Sequence, residues 1–434
     1  MSRYGRTLDP DRSLQSAHGA KVIRQKVVIV NNPSTIGQNE ELRVNFPNLG
    51  PNDVIVPGTA RLAFDIAISS TDATRTLVQN IGRAIVNKIT VKISGNQVLS
   101  VDDADIIGCF QDMWKSKGER KSLVYQGIDT SANTNVTRLR IGSSNKDADV
   151  AADAAVKTAY GSRFYVPLDF ELLESHMPYH QHGLGEYLEY ALTFNSYKRV
   201  IKLKSDATDV NKGDAKYEIT NISLEFDKIT DSQLADSIRG IYMGKKAFLY
   251  TDIMRVYKKS VNKSDTILSF SLNNTARSLR GILLLFEDQT DWTRDTESFY
   301  NPKITKVEVT IDGQTSQIYA QGLTPHYHWE EMNKFLGGGT KRHPATGAVC
   351  KDLQLADVNV GEYLTTKYGL WIDFRGVADN SLHGTGRPIM NANNGITLQI
   401  TKTAETAGVL NSYLYTLRDA QANFESGRFI NSFM

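Results

Sequence analysis

The chain has few cysteines and no long apolar run, and each shortage excludes a class of protein. Cys109 and Cys350 are its only cysteines. They exclude a disulfide framework and favour synthesis in a reducing compartment. The strongest apolar run, 282–286, is far shorter than a membrane-spanning helix. The stretch 1–15 lacks the apolar segment of a secretory signal. We therefore expect a protein that is made in the cytoplasm or nucleus and is not secreted.

The chain also has no large excess of positive or negative charge. The 434 residues include 50 Lys and Arg and 48 Asp and Glu, which leaves a formal net charge of +2. The molecule as a whole is therefore no polyelectrolyte binder. Hydrophobic residues make up 40% and charged residues 23%, which is ordinary globular composition with enough apolar material for more than one core. The length predicts two or three domains.

Most of the chain alternates apolar and polar residues, the pattern of strands with one buried face. Leu62, Phe64, Ile66 and Ile68 show it clearly. Each half of the chain divides into eight such strands, the number in a jelly roll. The predicted strands lie near 22–30, 40–46, 60–69, 84–93, 96–101, 162–170, 187–196 and 216–226, and near 247–258, 265–273, 277–287, 303–311, 315–320, 366–374, 394–402 and 411–419. The predicted fold class is all-β, with two consecutive eight-stranded antiparallel jelly rolls.

Two helices are predicted at equivalent places, between the fifth and sixth strands of each half. The first is 103–117, where Asp102 or Asp103 is the expected cap and Gly118 the expected end. The second is 324–336, which has Pro325 in its first turn. A third, shorter helix is predicted around Ile238.

A long loop follows each of the first two helices, at 119–161 and 337–365. Loops of this length in compact domains are usually functional. Disordered insertions are the alternative.

The two halves also align with each other. The segment NKITVKISG (87–95) matches TKVEVTIDG (305–313), and YVPLDF (165–170) matches GLWIDF (369–374). Order, helix position and terminal glycine agree, which favours an internal repeat over chance similarity between strands. The expected division is a basic arm 1–21, a first roll 22–230, a connector 231–246, a second roll 247–420 and a tail 421–434.

Few residues indicate chemistry. His176, His180 and His182 lie in one turn-rich loop, where three imidazoles close together bind metals, but no Cys or carboxylate pair completes a site. Surface or interface histidines are the alternative that we favour. The glycine pair Gly384 and Gly386 lacks the form of a phosphate-binding loop and indicates a turn. We expect no catalytic residue, no cofactor and no metal, and therefore no enzyme.

The N-terminal segment 1–26 is the one basic region. It contains six cations against two carboxylates, and its length precludes a core of its own. Such an arm can bind phosphates by counterion release; a solvated tail is the alternative. The candidate residues for an inner-face assembly arm are Arg3, Arg6, Arg12, Lys21, Arg24 and Lys26.

With strands, helices and repeat in place, the sequence resembles the double jelly-roll, hexon-like major capsid proteins of tailless double-stranded DNA viruses. Among these it is most similar to the proteins of Polinton/Maverick elements and adintoviruses. The stretches that carry the resemblance are LLESHMPYHQHGLGEYLEYALTF (172–194) and SYLYTLRDAQANFESGRF (412–429). Met177-Pro178-Tyr179 matches the usual aromatic-proline motif of these proteins only in part.

The resemblance implies a homotrimer whose six rolls form a pseudo-hexagonal capsomer of an icosahedral virion shell. The implied partners are the chain itself, neighbouring capsomers, penton and minor capsid proteins, and, through the arm, the genome or an inner membrane. A carbohydrate- or receptor-binding spike or lectin-like β-sandwich is the alternative, and it requires a face lined with exposed aromatics.

Overall fold

The computed structural model describes residues 21–28, 35–47, 49–69, 75–128, 163–174, 187–203, 216–272, 276–288, 296–311, 313–315, 323–336, 358–377, 382–389 and 395–433. Within them the chain forms two pairs of antiparallel sheets, one pair from each half, and a small two-stranded sheet in the first half. No helix in this part of the chain is long and apolar enough to cross a membrane.

The strands of the first half alternate with short helices. Its strands are β1 Lys21–Val28, β2 Thr35–Ile36, β3 Glu41–Asn45, β4 Asp53–Ile55, β5 Arg61–Ser69, β6 Arg75–Leu77, β7 Val86–Ile93, β8 Asn96–Asp102, β9 Arg163–Pro167, β10 Leu188–Phe194, β11 Ile201–Leu203 and β12 Lys216–Thr230. Its helices are α1 Ile81–Ala84, α2 Ala104–Met113, α3 Lys117–Ser122, α4 Glu171–Glu174 and α5 Tyr197–Val200, with a 3₁₀ turn at Val124–Gln126.

Helix α6, Ser232–Met243, connects the halves. The second half contains β13 Lys246–Asn262, β14 Ile267–Leu272, β15 Ala276–Asp288, β16 Ile304–Ile311, β17 Gln314–Thr315, β18 Leu370–Asp373, β19 Arg387–Ile389, β20 Ile396–Lys402, β21 Val409–Glu425 and β22 Arg428–Phe433, with helices α7 Pro325–Phe335 and α8 Val360–Thr365.

The two halves have the same sheet topology. The strand orders in the first half are β1-β12-β5-β9 and β3-β10-β7-β8, and in the second half β13-β21-β15-β18 and β14-β20-β16-β17. When the eight principal strands of each half are numbered 1 to 8 in chain order, the two sheets of both halves have the strand orders 1-8-3-6 and 2-7-4-5. Two antiparallel sheets in this order form a jelly roll, so the predicted fold class is confirmed.

The internal repeat is also visible in the strand register. On β7, Ile93 lies opposite Leu188 of β10, and on β16, Ile311 lies opposite Ile396 of β20. Two residues after each isoleucine a glycine, Gly95 or Gly313, takes a positive φ of 81° or 76° and turns the chain into the next strand. The segments 87–95 and 305–313 therefore occupy equivalent strands, as the alignment predicts.

The long loops begin or end with ordered structure that the sequence analysis missed. Residues expected to start the first loop form part of α3, which begins with a capping box between Ser116 and Glu119. Helix α2 ends at Met113, so Gly118 does not end it and lies inside α3 instead. The end of the second loop is α8, which begins with a capping box between Asn359 and Glu362.

The expected C-terminal tail is a hairpin. Strand β21 runs to Glu425, and β22 folds back along it through a turn at Ser426 and Gly427. Both turn residues have positive φ, 53° and 72°, which is the geometry of a tight two-residue hairpin connection.

The apolar residues form two clusters, and neither cluster is confined to one half of the sequence. The first-half helix α2 contributes Ile107, Phe110, Met113 and Trp114 to the cluster of the second roll. In return, the ends of β13 and β21 contribute residues to the cluster of the first roll, namely Phe248, Tyr250, Ala420, Ala422 and Phe424. The two rolls are therefore joined by shared cores as well as by a connecting helix.

We expect Phe110→Ala to destabilise both rolls together. The ring is fully buried and lies edge-on to Phe299, with 5.1 Å between ring centroids. Removing a buried phenylalanine costs about 3–5 kcal/mol of unfolding free energy. Chemical denaturation followed by fluorescence and circular dichroism measures the loss. The exposed Tyr187 offers a control, since Tyr187→Ala should change the unfolding free energy by less than about 0.5 kcal/mol. Two separate unfolding transitions in the wild type would contradict the shared core.

Candidate functional site: the junction between the two rolls

Charged residues from both halves meet at the junction. Arg199 of α5 in the first half lies between Asp105 of α2 and Glu287 of β15 in the second half. Its guanidinium Nη2 is 2.7 Å from Asp105 Oδ2, and its Nη1 is 2.8 Å from Glu287 Oε2. Both carboxylates are 2% exposed. One arginine therefore neutralises two buried carboxylates, one from each roll.

The shared cation leaves Asp105 only partly compensated. Burial raises the pKa of Asp105 to about 6, against the opposing effect of Arg199. The pKa of Arg199 is well above its usual range, since the two carboxylates outweigh its desolvation. Asp105 Oδ1 has no hydrogen-bond partner among the described residues, which agrees with a carboxyl that protonates readily.

A second ion pair crosses the junction beside α3. Arg120 donates two parallel hydrogen bonds to Glu297, with Nη2 to Oε2 at 2.7 Å and Nη1 to Oε1 at 3.1 Å. Both side chains are buried, and Arg120 Nη1 also donates to the carbonyl of Asp112 at 2.9 Å. Next to this pair, the Thr296 hydroxyl donates to the carbonyl of Gln79. A buried bidentate pair fixes both distance and direction between the rolls.

Asp103 makes the third ionic contact and corrects a prediction. It stands at the expected cap position of α2, but its backbone is left-handed at a φ of 47° and its side chain makes no capping hydrogen bond. Its carboxylate instead pairs with Arg255 Nη1 at 2.8 Å and Lys258 Nζ at 2.9 Å, both on β13. Tyr415 of β21 donates its hydroxyl to the Asp103 carbonyl at 2.8 Å. The residue therefore links α2 to the second roll and does not cap the helix with its side chain.

The glycine pair around Gly384 is a turn that contacts a carboxylate of the same chain. Gly384 N donates to Asp419 Oδ2 at 2.8 Å, and His383 Nδ1 lies 3.0 Å from Asp419 Oδ1. Gly386 N donates to Ser278 Oγ at 2.9 Å. Although burial opposes ionisation, the hydrogen bonds from His383 and Ser278 lower the pKa of Asp419. The amides of Gly384 and Gly386 are thus used internally, and the assignment as a turn stands.

The predicted arm residues fall partly within the fold. Lys21, Arg24 and Lys26 lie on β1, which pairs with β12. Arg24 faces Asp227 in this register and donates to both of its carboxylate oxygens, at 2.7 and 3.0 Å. Lys26 is exposed. The remaining candidates, Arg3, Arg6 and Arg12, lie outside the described residues.

The histidines show no metal site within the described ranges. His176, His180 and His182 lie outside these ranges. His328 on α7 is buried, with its Nε2 3.3 Å from the carbonyl of Leu323 and its Nδ1 2.9 Å from the hydroxyl of Tyr368. The described part of the chain contains no group of three or more potential metal ligands.

The alternative of a carbohydrate-binding face gains no support from the described tyrosines. Only Tyr125, Tyr187 and Tyr327 are prominently exposed among them, and they lie on three different elements. Eight others are buried, namely Tyr190, Tyr217, Tyr242, Tyr250, Tyr363, Tyr368, Tyr413 and Tyr415.

Searches with the sequence find no matching family model and no matching curated protein. Solved structures do match over nearly the whole chain. The PBCV-1 virus capsid, a quasi-atomic model, is 11% identical and matches 95% of this chain and 97% of its own, with a TM-score of 0.58. The mavirus major capsid protein is 15% identical over 100% of this chain and 92% of its own, with a TM-score of 0.55. The Sputnik virophage structure is 11% identical over 95% of this chain and 88% of its own, with a TM-score of 0.55.

At these identities the likeness is one of fold. The chain is a double jelly-roll protein, and it shares this fold with the mavirus major capsid protein and with the PBCV-1 capsid and Sputnik virophage structures. The narrower resemblance to Polinton/Maverick and adintovirus proteins is tested by none of these structures and stays a prediction.

We expect Asp105, one of the two carboxylates that pair with Arg199, to make the fold more stable in mild acid. Its pKa is about 6 in the folded chain and 3.8 in ordinary surroundings. Between these values the folded chain binds a proton that the unfolded chain does not, so this contribution to stability is full below pH 3.8 and is lost as the pH rises through 6. Asp105→Asn should flatten the pH dependence of the unfolding free energy in that window.

Asp112, on the same helix, is the matched control because its pKa is shifted the other way, to about 2. Its contribution to stability is present above its ordinary pKa of 3.8 and is lost as the pH falls towards 2. Asp112→Asn should therefore leave the slope between pH 4 and 6 intact. An unchanged slope in Asp105→Asn would show that Asp105 stays ionised throughout this window, which would contradict the prediction.

Proposed function

We propose that the chain is a major capsid protein of a double-stranded DNA virus, whose homotrimer forms a pseudo-hexagonal capsomer of an icosahedral shell. The observation that carries the proposal is the junction described above: two rolls of the same topology, held by shared cores and three buried or half-buried ion-pair groups. Three chains of two rolls give six rolls around a three-fold axis. Such a ring is hexagonal only if the angle between rolls is fixed within each chain, and the junction supplies that constraint.

The names of the matching structures support this role, since they describe capsids and major capsid proteins. The absence of an enzymatic activity is part of the proposal. The chain would act in the virion shell after synthesis in the host cytoplasm or nucleus, and its partners would be its own copies, neighbouring capsomers, and penton and minor capsid proteins. The division into rolls 22–230 and 247–420, joined by the connector, belongs to the same proposal.

The oligomeric state tests the proposal directly. We expect size-exclusion chromatography with light scattering to give a mass of three times the 48.3 kDa chain, unchanged on dilution. Negative-stain electron microscopy should show particles with six lobes. Closed symmetric oligomers of this kind bury large interfaces and dissociate little. A protein that remains monomeric at all concentrations would contradict the proposal.

The arm 1–21 is proposed to act in assembly, at the inner face of the shell, where the genome or a membrane is its partner. Ordering a residue costs about 1–2 kcal/mol, which a polar, basic segment cannot recover without a partner. The described cation Arg24 is already paired within the roll, so the proposal rests on Arg3, Arg6 and Arg12.

We expect deletion of 1–18 to leave the melting temperature of the trimer unchanged and to impair shell assembly or its salt dependence. A triple variant, Arg3→Gln, Arg6→Gln and Arg12→Gln, keeps the length and removes the charge. It should reproduce the defect if phosphate or carboxylate binding is the cause. Normal assembly of both variants at every salt concentration would identify the arm as a passive tail, and failure to trimerise would place it in the fold.

A further inference from the structure

A cavity of about 340 Å³ lies between the two rolls, and neither the capsid role nor the ionic contacts require it. Its apolar walls come from both halves. Val91 and Leu99 of the first roll and Ile107 of α2 form one side, and Ile253, Phe335 and Leu417 of the second roll form the other. The lining reaches the surface at the exposed Asp169 and at partly exposed residues that include Gln111 and Leu336, so the cavity has an open mouth.

The size of the cavity is that of a ligand site. Small-molecule sites typically measure about 300–1,000 Å³ and occur preferentially between domains. An engineered apolar cavity of about 150 Å³ holds benzene. A cavity roughly twice that size has room for an aliphatic chain of about ten carbons.

The charged residues that line the cavity are paired with other residues of the chain. Arg83 lies between Asp112, at 3.2 Å from its Nε, and Asp169. Arg280 Nη1 donates to Thr251 Oγ1 at 2.7 Å and lies 3.7 Å from Asp419.

Glu171 also has partners within the chain. Its Oε1 accepts from the backbone N–H of Thr251 at 3.0 Å, and its Oε2 is 3.6 Å from His383 Nε2. The lining thus contains two arginines and two carboxylates, Asp169 and Glu171. A charged ligand would add an uncompensated charge to a half-buried site, which is costly. A neutral ligand would not.

Two of the neutral polar side chains in the lining, Thr251 and Gln111, can hydrogen-bond to a ligand. The Thr251 hydroxyl accepts from Arg280, so its own proton can be donated to a ligand oxygen. The Gln111 carboxamide at the mouth can both donate and accept. These groups suit a hydroxyl or amide head.

We propose that this cavity binds a neutral amphipathic molecule with an aliphatic chain of about ten carbons and a hydroxyl or amide head. The chain contacts apolar residues of both rolls, and the head lies near Thr251 and Gln111. Because the ligand touches both rolls, its binding stabilises their relative position and raises the melting temperature of the protein.

Calorimetric titration and thermal melting of the full chain with 1-decanol test the proposal. We expect saturable binding and a melting temperature that rises with ligand concentration. Decanoate, which has a chain of the same length and a charged head, should bind at least tenfold more weakly. Tighter binding of decanoate would overturn the assignment of a neutral head, and no saturable binding of either probe would overturn the site.

Two variants locate the binding. Ala104→Leu fills the cavity from α2, and Leu336→Trp narrows its mouth; each should weaken 1-decanol binding at least tenfold. Leu364→Trp is the matched control, because this exposed leucine of α8 does not line the cavity. If Ala104→Leu does not fold, Leu336→Trp alone decides the location. Unchanged binding in Leu336→Trp, or equal loss in Leu364→Trp, would place the binding elsewhere.

Discussion

Helix α2 lies in the first half of the sequence, but most of its apolar side chains pack into the core of the second roll. The arrangement of the two rolls depends on this packing. The Phe110 ring lies edge-on to Phe299, and Trp114 packs against Trp329 and Tyr363 of the second half. Gly369 is the point of closest approach, since a Cβ there would collide with the Phe110 ring. Burying one such aromatic side chain contributes about 1.5–3 kcal/mol. Separating the rolls would expose several of these rings together, which makes a rigid two-roll body the stable state.

The ion pairs add direction to this apolar contact. Desolvation makes a buried pair weak as a source of net stability, but removing one partner is costly because the other charge stays buried. Arg199 and Arg120 therefore act mainly by excluding other arrangements: a rotation of one roll against the other would leave Glu287 or Glu297 without its cation. An apolar interface alone would tolerate such sliding. The pKa of Asp105 is raised chiefly by burial, and the nearby carboxylate of Glu287 adds to this against the opposing effect of Arg199.

Period-two alternation predicted the principal strands because each sheet buries one face, and this pattern is local. The repeat between 87–95 and 305–313 predicted their equivalence for the same reason. The junction could not be predicted in this way, because Asp105, Arg199 and Glu287 are far apart in sequence and follow no spacing rule. One local signal was present: in 282–286 successive residues are apolar without alternation, and the structure buries all of them, as expected for a strand covered on both faces. The capping boxes at Ser116 and Asn359 were also readable. The first begins a helix that crosses from the predicted helix 103–117 into the predicted loop, and the second begins a helix inside a segment predicted as a loop.

The two rolls have the same strand topology but contribute differently to the junction. This difference matters for the proposed capsomer. Helix α2 enters the core of the other roll, whereas its counterpart α7 contributes Met332 and Phe335 to the core of its own roll. In a ring of six rolls each roll has two neighbours, one in its own chain and one in another chain. Two identical rolls would pair equally well within and between chains, so a roll of one chain could take the place of a roll of another. Because α2 and α7 differ, the contact within a chain is distinct from any contact between chains. The unequal halves thus give each roll one fixed neighbour and leave its other side for a partner of a different surface.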